Sequence, residues 1–325
     1  MPATYTSSIV ITGGTQGVGY HCALSVAKQC PNALIIIASR TDRNSAAATI
    51  NKTLSQTNVK YLFLDLSSLV AVRTFAQNWK SSNYPAIQAL VLNAGLQFPG
   101  DVQYSVDGIE KTFAINHVGH ALLFHLLAPF LAPDARIVVT SSGTHDPAQK
   151  TPLPDAKFTS GEELAHPSDE SKMQNEGRQR YATSKLCNVL WTYSLASRFE
   201  ASTPKSGRAA MAFDPGLMPG TGLAREYSPV LRFIWLKIMP RIIPLLRVVV
   251  RTKNVHSAEE SGQNLAWVAV GEGGKGKNGV YFEGRKEIKS SKESYVKEKQ
   301  EALWGWTVGF LGESEEEQKA FEKVV

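Results

Sequence analysis

The chain has 325 residues, 43% hydrophobic and 20% charged, with a formal net charge of +6 and an isoelectric point near 9.1. That balance describes a globular chain with a sizeable core and excludes a disordered or fibrous one. The positive charge is scattered, with no Lys/Arg block, which excludes a basic nucleic-acid tail and suits a small anionic ligand.

The first element is a short β-branched run, Ser8-Ile9-Val10-Ile11-Thr12, which ends in Gly13-Gly14-Thr15-Gln16-Gly17-Val18-Gly19. A helix is expected next, from Tyr20 to Gln29. A buried strand, a glycine turn and a helix start form a cradle for a dinucleotide pyrophosphate: glycines let the backbone approach, and the helix N-terminus offers N–H groups and a favourable dipole. Glycines also serve plain tight turns, but this turn stands at the first strand–helix junction.

Leu34-Ile35-Ile36-Ile37-Ala38 is continuously apolar, as a parallel strand buried on both faces requires. It ends in Ser39-Arg40. An acidic residue here would bind the ribose 2′-hydroxyl of NAD; a hydroxyl followed by arginine suits the 2′-phosphate of NADP. The alternative is that Arg40 merely caps a loop. A helix from Ser45 to Ser55 leads to strand Lys60–Leu64 and then to Asp65-Leu66-Ser67. Asp65 can accept from an adenine amino group, cap the helix expected from about Leu69, or do both.

Strand Ala89–Leu92 ends in Asn93-Ala94-Gly95, small residues on which a cofactor can pack. A long amphipathic helix, roughly Gly108 to Leu131, carries Asn116 among the apolar Phe113, Ile115 and Val118. Asparagine has low helix propensity, so a buried, hydrogen-bonded role is expected. Strand Arg136–Thr140 delivers Ser141-Ser142. The next strong helix, Arg178 to Phe199, holds Tyr181-Ala182-Thr183-Ser184-Lys185. Residues four apart share a helix face. An ammonium beside a phenol favours the phenolate and is expected to lower the Tyr181 pKa, which makes the pair a general acid–base. The bland reading is a surface lysine beside a half-buried tyrosine.

Six strand–helix alternations before residue 215 predict a doubly wound α/β sheet with its site at the strands' C-terminal edge, where every motif above falls. Three scattered cysteines, Cys22, Cys30 and Cys187, argue for a reducing, cytoplasmic setting and against a disulfide framework. No Cys/His metal spacing is present. The early first strand leaves no room for a signal peptide, and no run of about 18 uncharged apolar residues is expected to span a membrane.

Taken together, Thr12-Gly13-x-x-x-Gly17-x-Gly19, Asp65-Leu66, Asn93-Ala94-Gly95, Asn116, Ser142, Tyr181-x-x-x-Lys185 and Pro215-Gly216 resemble, in order, the short-chain dehydrogenase/reductase family. The resemblance covers roughly Ser8 to Phe282. Pro215 to Leu223, Glu259-Glu260-Ser261-Gly262 and Gly279-Val280-Tyr281-Phe282 are similar to the branch that holds the protochlorophyllide reductases and retinol-dehydrogenase-type enzymes. The light-using reductase is matched in its scaffold; its long loop and cysteine pattern are not evident.

The resemblance implies a Rossmann-type doubly wound parallel sheet of about seven strands, helices on both faces and a C-terminal helical substrate cover, all in one domain. Residues 1–135 would mainly bind cofactor and 136–222 would carry the catalytic groups. It implies that Tyr181 donates the proton, Lys185 lowers its pKa and holds the nicotinamide ribose, Ser142 polarises the carbonyl with Ser141 second to it, and Asn116 holds a water linking Lys185 to solvent. Leu217 and Thr221 would flank the carboxamide, beside Pro215-Gly216. Two further readings stand: a C=C reductase on the same scaffold, and an NADP-binding sensor without turnover.

The sequence departs from the family in two places. Thirty-eight residues separate Ser142 from Tyr181, against about a dozen in the family. The insert, His145 to Gly177, is expected to be a rim or lid and to favour a monomer or weak homo-oligomer. The alternative is a disordered surface loop. Leu223 to Val250 is unusually apolar and is broken by Pro229, Pro240 and Pro244. It is expected to be a mobile cover over a bulky apolar substrate, touching a membrane surface with Arg232, Lys237, Arg241 and Arg247 outward. The tail, Lys292 to Val325, is expected to pack its tryptophans on the sheet and to expose the acidic run Glu313 to Glu317.

Overall fold

The computed structural model describes residues 5–42, 44–174, 176–202, 207–220, 228–249, 252 and 254–324. Eight strands are joined in the order β3-β2-β1-β4-β5-β6-β7-β8. They are β1 (Ser7–Thr12), β2 (Ala33–Ser39), β3 (Val59–Phe63), β4 (Ile87–Leu92), β5 (Leu131–Thr140), β6 (Ala209–Asp214), β7 (Val280–Glu283) and β8 (Lys286–Ile288). All neighbours are parallel except β7 and β8. The extra strand, β8, is three residues of an edge hairpin, too short and too charged to stand out in the sequence.

Alternate residues of each strand point to opposite faces. Val10, Ile36, Leu90 and Ile137 enter one core cluster, while Ile11, Ile37, Val91 and Val138 enter the other. This is why the strand sequences are continuously apolar. Helices α1 (Gly17–Gln29) and α2 (Ala46–Leu54) cover one face. The other is covered by α3 (Leu69–Ser81), by α4 (Lys111–Phe130), which passes through a π-turn at Ala114–Val118, and by later helices.

Two expectations about these segments need correction. The helix after β3 is capped by Ser68, whose Oγ accepts from Ala71 N at 3.2 Å. Asp65 lies too far upstream to cap it, and instead accepts from the amide and hydroxyl of Ser67. The α4 helix is apolar and long enough by composition to cross a membrane, contrary to the sequence reading, yet 83% of its apolar window is buried inside the protein. Its uncharged length reflects packing on both sides.

The insert contains α5 (Gly161–Ala165) and α6 (Asp169–Gln174). It docks: a Cβ at Gly161 would lie 2.2 Å from the Trp306 ring, and Trp306 Nε1 donates to Glu162. The next helix, α7 (Gly177–Ser202), is buried on every side from Tyr181 to Ala196. Beyond β6, a helical run comprises α8 (Pro229–Phe233), a π-turn, a 3₁₀ turn and α9 (Ile243–Val249). Val230, Phe233, Leu236, Ile238 and Leu245 are exposed on it. Arg247 does not point outward as expected: it donates to Val255 O and pairs with Glu260 at 2.9 Å, tying the run to α10 (Ala258–Ala269).

Helices α11 (Lys297–Leu311) and α12 (Glu315–Lys323) close the chain. Trp304 is buried and stacked on Trp191 at 6.2 Å. The acidic run is not merely solvated. Glu313 pairs with Arg73 Nε at 2.8 Å, and Glu317 grips both of its terminal nitrogens, which fastens the C-terminal helix to α3.

Candidate active site

In an open parallel sheet the ligand crevice lies at the strands' C-terminal ends, where the strand order reverses. Here that point is between β1 and β4. Gly13 has φ +67°, and a Cβ there would sit 3.1 Å from Ala94 Cα. Gly19 admits no side chain, since its Cβ would lie 2.3 Å from Gly13 O. Gly17, at φ +56°, has open space where a side chain would be. Thr15, Gln16 and Val18 complete the turn. Gln16 caps α1 with extended backbone but no side-chain bond, so the N–H groups of the first turn face outward for an anion. The cradle fits a dinucleotide pyrophosphate.

Thr12 ties this turn to the end of β4. Its Oγ1 accepts from Asn93 N at 2.8 Å and Ala94 N at 3.0 Å, while Asn93 Nδ2 donates to Thr12 O. His120 joins the same hydroxyl through Nε2 at 2.9 Å and donates through Nδ1 to Asn116 O. Ser39 and the exposed Arg40 stand at the end of β2, and Asp65-Leu66 at the end of β3.

Asn116, fully buried in the π-turn, accepts from Leu96 N at 2.8 Å and donates to Leu96 O and to Ser184 Oγ, each at 3.0 Å. The predicted hydrogen-bonded role holds, with the amide clamping the loop after β4 to α7. Gly95 completes the contact: a Cβ there would lie 3.2 Å from Lys185 Nζ and 3.5 Å from Asn116 Oδ1.

Ser142, Tyr181 and Lys185 converge beside this loop. Ser142 lies close enough to Tyr181 to favour its phenolate. Lys185 Nζ lies 5.6 Å from the Tyr181 ring centre and donates to Thr140 O at 3.1 Å. Ser141 has another task, since its Oγ donates to Lys185 O at 2.8 Å. On the far side, Gly216 has φ +79° and its N–H donates to Asp214 Oδ1. Pro215 O accepts from Ser261, and Leu217 pairs with the Asn254–His256 segment. Thr221 lies outside the described residues.

The electrostatics differ from the expectation. Burial pushes the Tyr181 phenol above its ordinary value of 10, the Asp214 carboxylate adds to that, and the neighbouring Ser142 hydroxyl opposes it. Lys185 is itself pushed down by burial to about 8, although Asp214 favours its charge. The lysine therefore does not bring the phenol below its ordinary value: both side chains are dry, and desolvation outweighs the ion–dipole gain.

Asp214 is the residue that sequence reasoning missed. It is buried at the end of β6 and acts on both Tyr181 and Lys185. The available signal was a carboxylate at a strand's C-terminal end, directly before Pro215-Gly216.

The chain is similar to known proteins in sequence and in fold. A model of the short chain dehydrogenase family matches residues 7–151. Protochlorophyllide reductase A of Oryza sativa subsp. japonica is 30% identical over 94% of this chain and 80% of its own length. A WW domain-containing oxidoreductase of Gallus gallus is 32% identical over 67% of this chain and 50% of its own. Among solved structures, a short chain dehydrogenase from Burkholderia cenocepacia in complex with NADP superposes with a TM-score of 0.60, at 21% identity, over 86% of this chain and 96% of that one.

Proposed function

The chain belongs to the short-chain dehydrogenase family, and from that premise we propose that it is an NADPH-dependent oxidoreductase which reduces the carbonyl of a bulky apolar substrate to an alcohol, reversibly. The observation that carries the reading is the meeting of Ser142, Tyr181 and Lys185 beside the glycine cradle. When bound, the dihydronicotinamide supplies the hydride. Tyr181 gives its proton to the substrate oxygen, and Ser142 donates a hydrogen bond to the same oxygen. Lys185 stabilises the phenolate left behind. Asn116 keeps Leu96 and Ser184 in place around that lysine. Gly13 to Gly19 would hold the pyrophosphate, Asp65, Leu66 and Asn93 to Gly95 would line the adenosine and ribose side, and Leu217, beside Pro215-Gly216, would flank the carboxamide.

NADPH consumption in the dark against bulky ketones, retinal-like aldehydes and steroids tests this reading. Turnover of small polar carbonyls alone would contradict it. The similarity to protochlorophyllide reductase over 94% of the chain favours a second reading, reduction of a conjugated C=C bond on the same scaffold. Reduction of such a bond, with carbonyls untouched, would select it. Steady turnover of either kind removes the sensor reading.

Cofactor choice rests on Ser39-Arg40. Arg40→Asp is expected to weaken NADPH binding about tenfold or more and to spare NADH, as loss of a charge-assisted phosphate contact implies. An unchanged NADPH/NADH ratio, measured by fluorescence titration, would show that Arg40 is not the 2′-phosphate partner.

Membrane contact through the helical run from Pro229 to Val249 is also proposed. No acidic residue lies between them, whereas Arg232, Lys237 and Arg241 are exposed beside Phe233, Leu236 and Ile238. Such a face suits an anionic lipid surface. The protein is expected to sediment with phosphatidylserine vesicles and far less with phosphatidylcholine; no sedimentation with either would contradict the proposal.

A further inference from the structure

His145 is the first residue of the insert, three residues after Ser142, and its side chain is 1% exposed. The ring lies between two backbone groups. Ser291 N donates to Nε2 at 3.1 Å, and Nδ1 lies 2.6 Å from Ser142 O. A peptide N–H can only donate and a carbonyl can only accept, so Nε2 carries the lone pair and Nδ1 the proton. The tautomer is thereby set. Burial lowers the imidazole's pKa, in keeping with this neutral form. The His145 backbone N–H also reaches Ser142 O, at 3.1 Å. Both bonds hold the peptide next to the Ser142 hydroxyl.

The other end of the contact is equally built. Ser290, Ser291 and Ser294 are buried in a turn after β8. Ser294 Oγ donates to Ser291 O at 2.6 Å and bonds Ser290 Oγ at 2.7 Å; Ser290 Oγ bonds Tyr193 OH of α7 at 2.6 Å; Gln300 Nε2 of α11 donates to Ser294 O at 2.7 Å. The turn is locked to two helices and presents one N–H to His145.

We propose that His145 is a positioning residue for the reduction, transferring the placement of the locked Ser290–Ser294 turn to the Ser142 hydroxyl. The inference rests on Ser142 polarising the substrate oxygen. A small displacement of such a donor costs rate, whereas the backbone of the glycine cradle, and with it cofactor binding, is untouched.

Three substitutions separate this role from plain core packing. Asn Nδ2 falls where His Nδ1 does, and a Gln side-chain end falls near Nε2. His145→Asn therefore keeps the bond to Ser142, and His145→Gln keeps only the one to Ser291. Because the relay needs both bonds, His145→Leu is expected to lose kcat by about 10- to 100-fold, and His145→Asn and His145→Gln, each keeping one bond, by about tenfold, all with the NADPH Kd changed less than about twofold. Ser291→Pro removes the N–H from the opposite side. Its φ of −56° suits proline, and kcat is expected to fall about tenfold with His145 intact. Melting curves report folding. A wild type with no carbonyl turnover would overturn the reading of Ser142 itself. A turning-over wild type whose His145→Asn, His145→Gln and Ser291→Pro variants all stay within about threefold of wild-type kcat would overturn the positioning role, as would failure of both His145→Asn and Ser291→Pro to fold, since the contact would then serve folding alone.

Discussion

Tyr181→Phe is expected to leave NADPH binding intact and to reduce turnover by about 10²- to 10⁴-fold, the usual worth of a placed proton donor. The substitution removes one hydroxyl from a buried ring and leaves the glycine cradle and Lys185 where they are. The phenol's raised pKa fixes the direction in which it serves. At neutral pH it is protonated, so it stands ready as the acid of a reduction. The phenolate formed on proton transfer needs Lys185 charged. That lysine is held down at about 8 by burial, so it loses its proton as pH rises through that value. Reductive kcat is therefore expected to be flat near neutrality and to fall above about pH 8. Single-turnover rates against pH, with the Phe variant as control, check both parts. Retained turnover in the Phe variant would remove Tyr181 from the chemistry. A rate that rises through pH 8 would contradict the charge assignment of Lys185.

What the sequence made legible is what depends on neighbours along the chain. Runs such as Leu34–Ala38 announce a strand buried on both faces because each residue meets a core by itself. The glycine turn, Asn93-Ala94-Gly95 and the Tyr181–Lys185 pair are local as well, and the sheet brings them to one edge because all parallel strands end there. What stayed hidden depends on distant partners. Nothing near Glu317 announces Arg73, 244 residues away. The insert looks structureless until Gly161 is set against the Trp306 ring. The phenol's electrostatics failed for the same reason: an i, i+4 pair shows proximity, but its desolvation comes from elements far along the chain that pack on α7. Ser141 and Ser142 read alike as strand-end serines, and only the α7 carbonyl that Ser141 reaches distinguishes them.

The α4 helix makes the protein sensitive to acid. His117, His120 and His125 are buried along it, and burial lowers them from 6.5 to about 3, 4 and 3. Neighbouring positive charge helps: His120 acts on His117, Lys185 on His120, and Arg198 on His125. The folded pKa values lie below the unfolded one, so the unfolded chain binds more protons below pH 6.5. Stability from these groups is complete above that pH and is lost as pH falls towards 4. Each contributes a slope of about 1.4 kcal/mol per pH unit, and three together about 4. Against a usual global stability of about 5–15 kcal/mol, two pH units suffice to consume much of it. Unfolding is expected between about pH 5.5 and 4, with stability flat above pH 7. His125 offers the cleanest check. Its Nε2 has no hydrogen bond among the described residues, and its ring stacks on Phe321 at 4.7 Å. His125→Phe keeps the aromatic shape, removes the orphaned nitrogen and deletes one titrating group. Denaturant melts at pH 7 and pH 5 are expected to show the difference between the two stabilities shrinking by about 2 kcal/mol in the variant, over the part of that interval below pH 6.5. An unchanged difference would mean that His125 is not buried neutral in the folded state.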